Sequence, residues 1–412
     1  MASNGSIERR GKNSFRLTVS AGFDGKGNRI KHRKTVKVKG KSPEKQEEEA
    51  QKELLKFTVE VEEGQYYGSS KMKLSEFVDQ FIVHYGEEHL APKTFNRYKE
   101  ILDGRVKESL GHYKMLDVRP MHLLDFYNSL HKDGVRKDGK KGGLAPQTIR
   151  HHHRVLHTLF AVAVQWGVVK DNPAARVQAP KVPKKDAEFY DREQTAELLA
   201  SLEKEPDEFF KHKVAVMLAL TTGARRGEIM GLEWKDVDFE AGTLRIERSS
   251  QYIEGLGIIT KDPKNETSKR TVPLTGSMVS LLKKYKTRQA EDKLKLGELW
   301  ESEEKARLGD AWEDCDRLFR RWDGSPAYPG SISHWFHDFL ERHGLPPMMF
   351  HGLRHTAATL LIDAGTQDLT VAALLGHSDP GTTKRIYAKS LKRAERAAAD
   401  VMEDIVSGKE VK

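Results

Sequence analysis

The sequence predicts a mainly helical protein with small β-sheets, an α+β chain built from three modules. Three patterns carry this prediction. Apolar and polar residues alternate within the first forty positions, as in strands. Apolar residues recur at helical spacing from residue 74, and short strand-like runs sit between helices in the second half. A chain of 412 residues has room for two to four domains with ample cores. The modules are placed at 1–65, 72–178 and 185–400, with a final helical segment and tail over 391–412.

In the first module, "SFRLTV" puts Phe15, Leu17 and Val19 on one face and Arg16 and Thr18 on the other. "KTVKVKG" repeats the arrangement with Val36 and Val38 against Lys37 and Lys39, and Gly-rich "GFDGKGN" makes the turn between them. A helix follows, with Ser42 as N-cap, Pro43 at its first position and Glu44 in its first turn. Residues 1–41 hold twelve Lys or Arg against Glu8 and Asp24, a net charge of +10. The whole chain carries +9, so a compact basic module is attached to a nearly neutral body. A disordered basic tail is the plainer account, but the alternation speaks against it. A small sheet backed by a helix, presenting Arg16, Arg33 and Lys37 on its open face, fits a nucleic-acid groove.

The second module reads as helical, with Leu74, Phe77, Val78, Phe81, Ile82 and Tyr85 on the helical period. "LAPKTFNRYKEIL" at 90–102 is echoed by "LAPQTIRHHHRVL" at 144–156, and a shared way of starting a helix explains the echo better than a duplication. Lys93, Thr94 and Arg97 on the first copy, Thr148 and Arg150 on the second, and Lys140 between them are candidate DNA contacts. His151, His152 and His153 cannot converge on one metal ion, because consecutive helical residues diverge; a solvated, phosphate-facing surface is expected. "GVRKDGKKGG" at 134–143 mimics a nucleotide-binding loop, but Lys141 stands where Ser or Thr should be and no strand precedes it. A mobile basic loop is expected instead.

A Pro- and Lys-rich linker, "QAPKVPKKDAEF", leads to the third module. It begins with helices ("DREQTAELLASL", "HKVAVMLALTTG"), continues through "TLRIERSSQY", "GIIT" and "RTVPL" as strands, and returns to helices. Residues 287–316 hold five basic and ten acidic residues, so this stretch should face away from any polyanion. The one cysteine, Cys315, leaves no internal disulfide framework and fits a reducing compartment. No apolar run approaches the roughly 18 residues of a membrane span. A soluble, cytoplasmic protein without membrane contact is expected.

The third module also carries the chemistry. In "HGLRHT", His351 and His355 stand four apart, as zinc-binding histidines do, but Arg354 on the same face would repel a metal ion. Arginine's paired donors and histidine's tunable one fit a phosphate or carboxylate instead. "TTGARRGEI" adds Arg225 and Arg226 with Glu228 three residues after Arg225. "KDPKNETSKRTVPL" puts Lys264 in the connection between two strands, with Arg270 closing the second; "LLGHSDPGTT" adds His377 and "KRIYAKS" adds Tyr387.

This set, in this order, resembles the catalytic domain of tyrosine recombinases, the phage-integrase family. The motifs that carry the resemblance are the Arg of T-G-x-R-x-x-E, a hairpin Lys, H-x-L-R-H-T, L-G-H, and a Tyr about ten residues on. The resemblance covers roughly residues 185–400. The helical module is similar to the family's core-binding domain, and residues 1–65 to the arm-binding domain of temperate-phage and conjugative-transposon integrases. The resemblance implies that Arg225 and Arg354 clamp a scissile phosphate with help from His377, and that Tyr387 is the nucleophile. It further implies that His351 assists removal of the tyrosine proton and that Lys264 protonates the departing 5′ oxygen. Glu228 would orient an arginine, and His355 would be structural. With several protein cations at hand no metal or other cofactor is expected, and a retained phosphotyrosine bond needs no ATP. The implied partners are double-stranded DNA at core and arm sites and a homotetramer, the last helix docking on a neighbouring protomer. An excisionase and a DNA-bending host protein are candidate helpers. Two other readings are kept: a type IB topoisomerase-like enzyme, and a DNA-binding regulator that does not cut.

Overall fold

A computed structural model describes residues 5–23, 27, 29–62, 72–183, 188–262, 269–301, 316–376, 403 and 406. The chain divides into two units, Met1–Lys184 and Lys185–Lys412. The first unit holds two separate cores. Strands β1 (Gly5–Gly11), β2 (Ser14–Phe23) and β3 (Arg29–Lys37) form an antiparallel sheet in that order, backed by helix α1 (Pro43–Glu62). The alternation works as expected: Phe15, Leu17 and Val19 are buried against Ala50, Leu54 and Phe57 of α1. Each such side chain contributes about 1.5–3 kcal/mol when fully buried. β1 has no alternation to announce it, since Ile7 is its one large apolar residue. Gln46 on α1 fastens this edge: it accepts from Arg9 Nη2 at 2.6 Å and donates to Asn13 Oδ1 at 3.0 Å and Gly40 O at 2.9 Å.

The second core is helical. Helix α2 (Leu74–Phe81) runs through a wider turn, Ile82–Gly86, into Glu87–His89, and α3 (Pro92–Ile101) runs through Leu102–Val106 into Lys107–Leu110. Helices α4 (Pro120–Leu130) and α5 (Pro146–Gln165) complete the bundle. Leu74, Phe77, Val78, Phe81 and Ile82 are all buried, with Tyr85 packed beside them. The two echoed segments share one helix start: proline takes the first position of α3 and α5, and Thr94 and Thr148 donate their backbone N–H to Ala91 and Ala145, both at 2.8 Å.

In the second unit, α6 (Arg192–Glu203), α7 (Phe210–Thr222) and the short α8 (Arg226–Met230) precede the strands. β4 (Val237–Asp238), β5 (Thr243–Ile246) and β8 (Arg270–Pro273) form one antiparallel sheet; β6 (Ser249–Ile253) and β7 (Gly257–Lys261) form a separate hairpin. Two expectations are corrected here. "TLRIERSSQY" is two strands in two sheets, broken at Arg248, whose guanidinium turns to Asp236 and Glu233. Arg270 opens β8 rather than closing a strand, and the strands flanking Lys264 pair with different partners. Helices α9 (Gly276–Leu296), α10 (Ser331–Arg342), α11 (Gly352–Asp363) and α12 (Asp368–Leu375) follow. A core spanning Tyr190 to Leu353 holds them to the β5–β8 sheet. No helix among the described residues is long and apolar enough to cross a membrane.

Candidate active site

Helix α7 stops at Gly223, whose φ of 62° suits glycine, and a Cβ there would lie 2.2 Å from Leu375 Cδ2. The turn leaves the Gly223 carbonyl to accept from Arg354 Nη1 at 2.7 Å. Two residues on, Arg225 caps α8, and the T-G-x-R-x-x-E spacing acquires its meaning. Glu228 accepts both the backbone N–H of Arg225, at 2.9 Å, and its Nη1, at 2.6 Å. The same carboxylate accepts from Arg270 Nη2 at 3.0 Å. Arg226 turns away to Ser333 Oγ at 2.8 Å.

Arg354 enters from the first turn of α11. It is 2% exposed, and its Nη2 has no hydrogen-bond partner among the described residues. Burial first, and then the Arg225 charge, pushes Arg354 down to about 9. Three guanidinium groups thus gather around one carboxylate, and a buried donor has nothing to bond. Leaving such a donor unmet is costly, and an anion with several acceptor oxygens meets that need. His351 lies just before α11, exposed, with its ring centroid 5.0 Å from that of His355. Partial desolvation by the surrounding protein, then His355 and Arg354, lowers His351 to about 4. His355 is also lowered, by burial and by Arg354. A cleft of roughly 600 Å³ opens here, cationic on the side of Arg225 and Arg226, with neutral His351 at its wall, and apolar along Met348, Met349 and Phe350. The start of α11 is also gripped from behind. Tyr190 N donates to Thr356 Oγ1 at 2.9 Å, Tyr190 Oη donates to Pro346 O, and a Cβ on Gly352 would lie 2.9 Å from Glu188 O.

The structure therefore brings together Arg225, Glu228, His351, Arg354 and His355. Lys264, His377 and Tyr387 lie outside the described residues, as does nearly all of 391–412; the two described there, Glu403 and Val406, are exposed. Gly376, the last described residue before His377, accepts from Arg225 Nη2 at 3.4 Å. Arg270 is a site residue that the sequence does not announce. A cation opening a strand looks ordinary until the fold sets it against Glu228, 42 positions earlier. Among the described residues, no group of three or more His, Cys, Asp or Glu is placed to hold a metal ion.

The candidate DNA contacts divide. Arg16, Arg33 and Lys37 share the sheet face away from α1, since Arg33 pairs with Thr18 and Lys37 with Ser14, on the side opposite Phe15 and Leu17. In the helical module, Arg97 and Thr148 line one cleft with Arg105, Arg136 and Lys137; Lys93, Thr94, Lys140 and Arg150 are exposed outside it. Arg97 is bonded to Glu100 at 2.6 Å. The histidine run is solvated only in part: His151 and His153 are half-buried, while His152 is 3% exposed and its Nδ1 pairs with Thr148 O at 2.9 Å, because Ile149 and Leu156 put that stripe in the core. Loop 134–143 is tied down rather than loose. Arg105 Nη2 donates to Val135 O at 2.6 Å, and Arg136 pairs with Asp138.

A mainly helical unit that sets the unbonded Nη2 of buried Arg354 beside Arg225 defines a site suited to an anion with several oxygens, such as a phosphate. Comparison with known proteins supplies the rest. The model of the Phage integrase family matches residues 188–393, and that of the Phage integrase, N-terminal SAM-like domain, matches residues 73–131. The chain belongs to the phage integrase family, the tyrosine-type site-specific DNA recombinases. It is 28% identical to a XerC-like tyrosine recombinase of Caldanaerobacter subterraneus, over 98% of this chain and 100% of that one. It is 22% identical to the ICEBs1 integrase of Bacillus subtilis, over 97% and 100%. Among solved structures, the Tn1549 transposon integrase with circular intermediate DNA is similar at a TM-score of 0.61 and 20% identity, covering 80% of this chain and all of that one. The lambda integrase tetramer bound to a Holliday junction is similar at 0.54 and 18%, covering 93% and 94%.

Proposed function

We propose that this recombinase integrates and excises a mobile element, working in the cytoplasm as a homotetramer on two core sites. Residues 1–65 would bind arm sites and 72–178 the core sites, while 185–400 would perform the chemistry. The full-length similarity to the ICEBs1 integrase supports the mobile-element reading, and the lambda integrase tetramer supports the assembly. An excisionase and a DNA-bending protein would set direction.

In this reading Tyr387 Oη attacks the scissile phosphorus and passes its proton toward His351, which is neutral in the resting protein. The bond from phosphorus to the 5′ oxygen breaks, and Lys264 gives that oxygen a proton. Arg225 and Arg354, with His377, hold the non-bridging oxygens as charge builds, each arginine supplying about 3 kcal/mol, the scale of one oxyanion donor. The 3′-phosphotyrosine keeps the bond energy, so attack by a new 5′ hydroxyl reverses the steps. The observation that carries the proposal is the unmet Nη2 of Arg354 beside Arg225.

The test uses DNA flanking the protein's own gene, nicked near candidate sites to trap cleavage, with the protein in EDTA. An SDS-resistant adduct that disappears in Tyr387→Phe, with DNA binding retained, is the expected result. Adducts that persist in Tyr387→Phe, or that form only with added magnesium, would overturn the mechanism.

A further inference from the structure

The site contains a joint that the chemistry above does not use. The Arg270 side chain is 7% exposed. Its Nη2 donates to Glu228 at 3.0 Å and its Nε to the carbonyl of Leu374, in the last turn of α12, at 2.7 Å. Gly376 packs closely against this side chain: a Cβ there would meet Nη1 at 2.9 Å and Cδ at 3.1 Å, and its φ is 65°. One side chain therefore bolts together the turn that carries Arg225, the strand that follows residues 263–268, and the end of α12 that leads into residue 377.

We propose that Arg270 is a positioning residue for strand transfer, setting the distance between Arg225 and the segment that carries His377 and Tyr387. The proposal rests on the reading of Arg225 as the phosphate clamp. Among the described residues the guanidinium reaches acceptors on two different segments with two of its nitrogens, which the single ammonium of lysine cannot do in the same geometry. The position of Gly376 follows from the same contact, since any side chain there would displace the arginine. A buried pair kept only for stability is often replaceable by apolar residues without loss. This pair instead joins the ends of elements that each bear a reacting group.

The test compares full-length Arg270→Gln and Arg270→Lys with the wild type in single-turnover adduct formation on nicked core-site DNA. Affinity for that DNA and thermal unfolding are measured separately. Both variants should bind as the wild type does. Arg270→Gln should form adduct about 100-fold more slowly, the cost of misplacing a reacting group by about 1 Å, and Arg270→Lys should fall between. Adding Glu228→Gln to Arg270→Gln should slow the reaction by less than the product of the two single losses, because the shared bond is counted in both, the remainder being the direct hold of Glu228 on Arg225. Wild-type rates, or losses that merely track binding or melting temperature, would overturn the proposal; if Arg270→Gln does not fold, Arg270→Lys decides by the same criteria. Arg225→Ala separates the two readings. If it is inactive while the Arg270 variants cleave normally, only this proposal falls; if it cleaves normally, the clamp and the proposal fall together.

Discussion

Replacing Glu228 with Gln keeps the shape of the side chain and removes the one negative charge that Arg225 and Arg270 share. The Glu228–Arg270 pair is buried on both sides, 3% and 7% exposed, so losing one partner costs about 3–5 kcal/mol. The amide oxygen still accepts one bond, which returns about 1 kcal/mol. The Arg225 side chain is 38% exposed, and its pairing adds at most about 1 kcal/mol. The balance is a loss of roughly 3 kcal/mol, a large part of the 5–15 kcal/mol that holds a typical domain. Bound DNA should return some of this, because a phosphate restores the missing charge. Urea unfolding followed by tryptophan fluorescence suits the purpose, since Trp234, Trp300, Trp312, Trp322 and Trp335 all lie in the third module and only Trp166 elsewhere. Acid should reveal the same charge. Burial, the largest influence, pushes Glu228 up, but Arg270 and Arg225 together hold it below its ordinary 4.5. Its stabilisation is therefore complete above pH 4.5 and lost as pH falls through the folded value, a limb that the Gln variant should lack. A loss under about 1 kcal/mol, or one that DNA leaves unchanged, would refute the reasoning.

Two further outcomes are expected. His351, lowered to about 4, is neutral above that value, so the rate of adduct formation between pH 8 and 5 should show no step near 6.5; an acid limb centred there that disappears in His351→Ala would show that the ring is not shifted by its neighbours. Its contribution to stability has the same sign, complete above 6.5 and lost toward 4. Arg33→Ala with Lys37→Ala should weaken arm-site binding and flatten its logarithmic salt dependence by about 1 for each phosphate no longer neutralised; an unchanged slope would take both residues off the interface.

What was legible in the sequence was whatever depends on near neighbours. Phe15, Leu17 and Val19 announced a strand and Leu74 to Ile82 a buried helical stripe, because side-chain direction follows the backbone period. The pairing of Arg225 with Glu228 lies within one turn and was readable as a spacing. The rest depended on contacts across the fold. Ile7 alone cannot signal an edge strand, and β8 reaches β5 across an intervening hairpin that no local pattern foretells. Three adjacent histidines have no period of their own, yet Ile149 three residues before His152 and Leu156 four after it mark its stripe as core. Arg270 was silent for the same reason, its acceptors lying 42 and 104 positions away.

The grip on Tyr190 has a mechanical consequence. Residues 188–190 are no loose lead-in to α6. They are fastened at Pro346 and at Thr356, before and within the helix that presents Arg354, with Glu188 seated against Gly352. A displacement of residues 188–190 is therefore delivered to the turn that holds Arg354. Residues 188–190 and the start of α11 thus shift as one piece, and a displacement of the one is a displacement of the other.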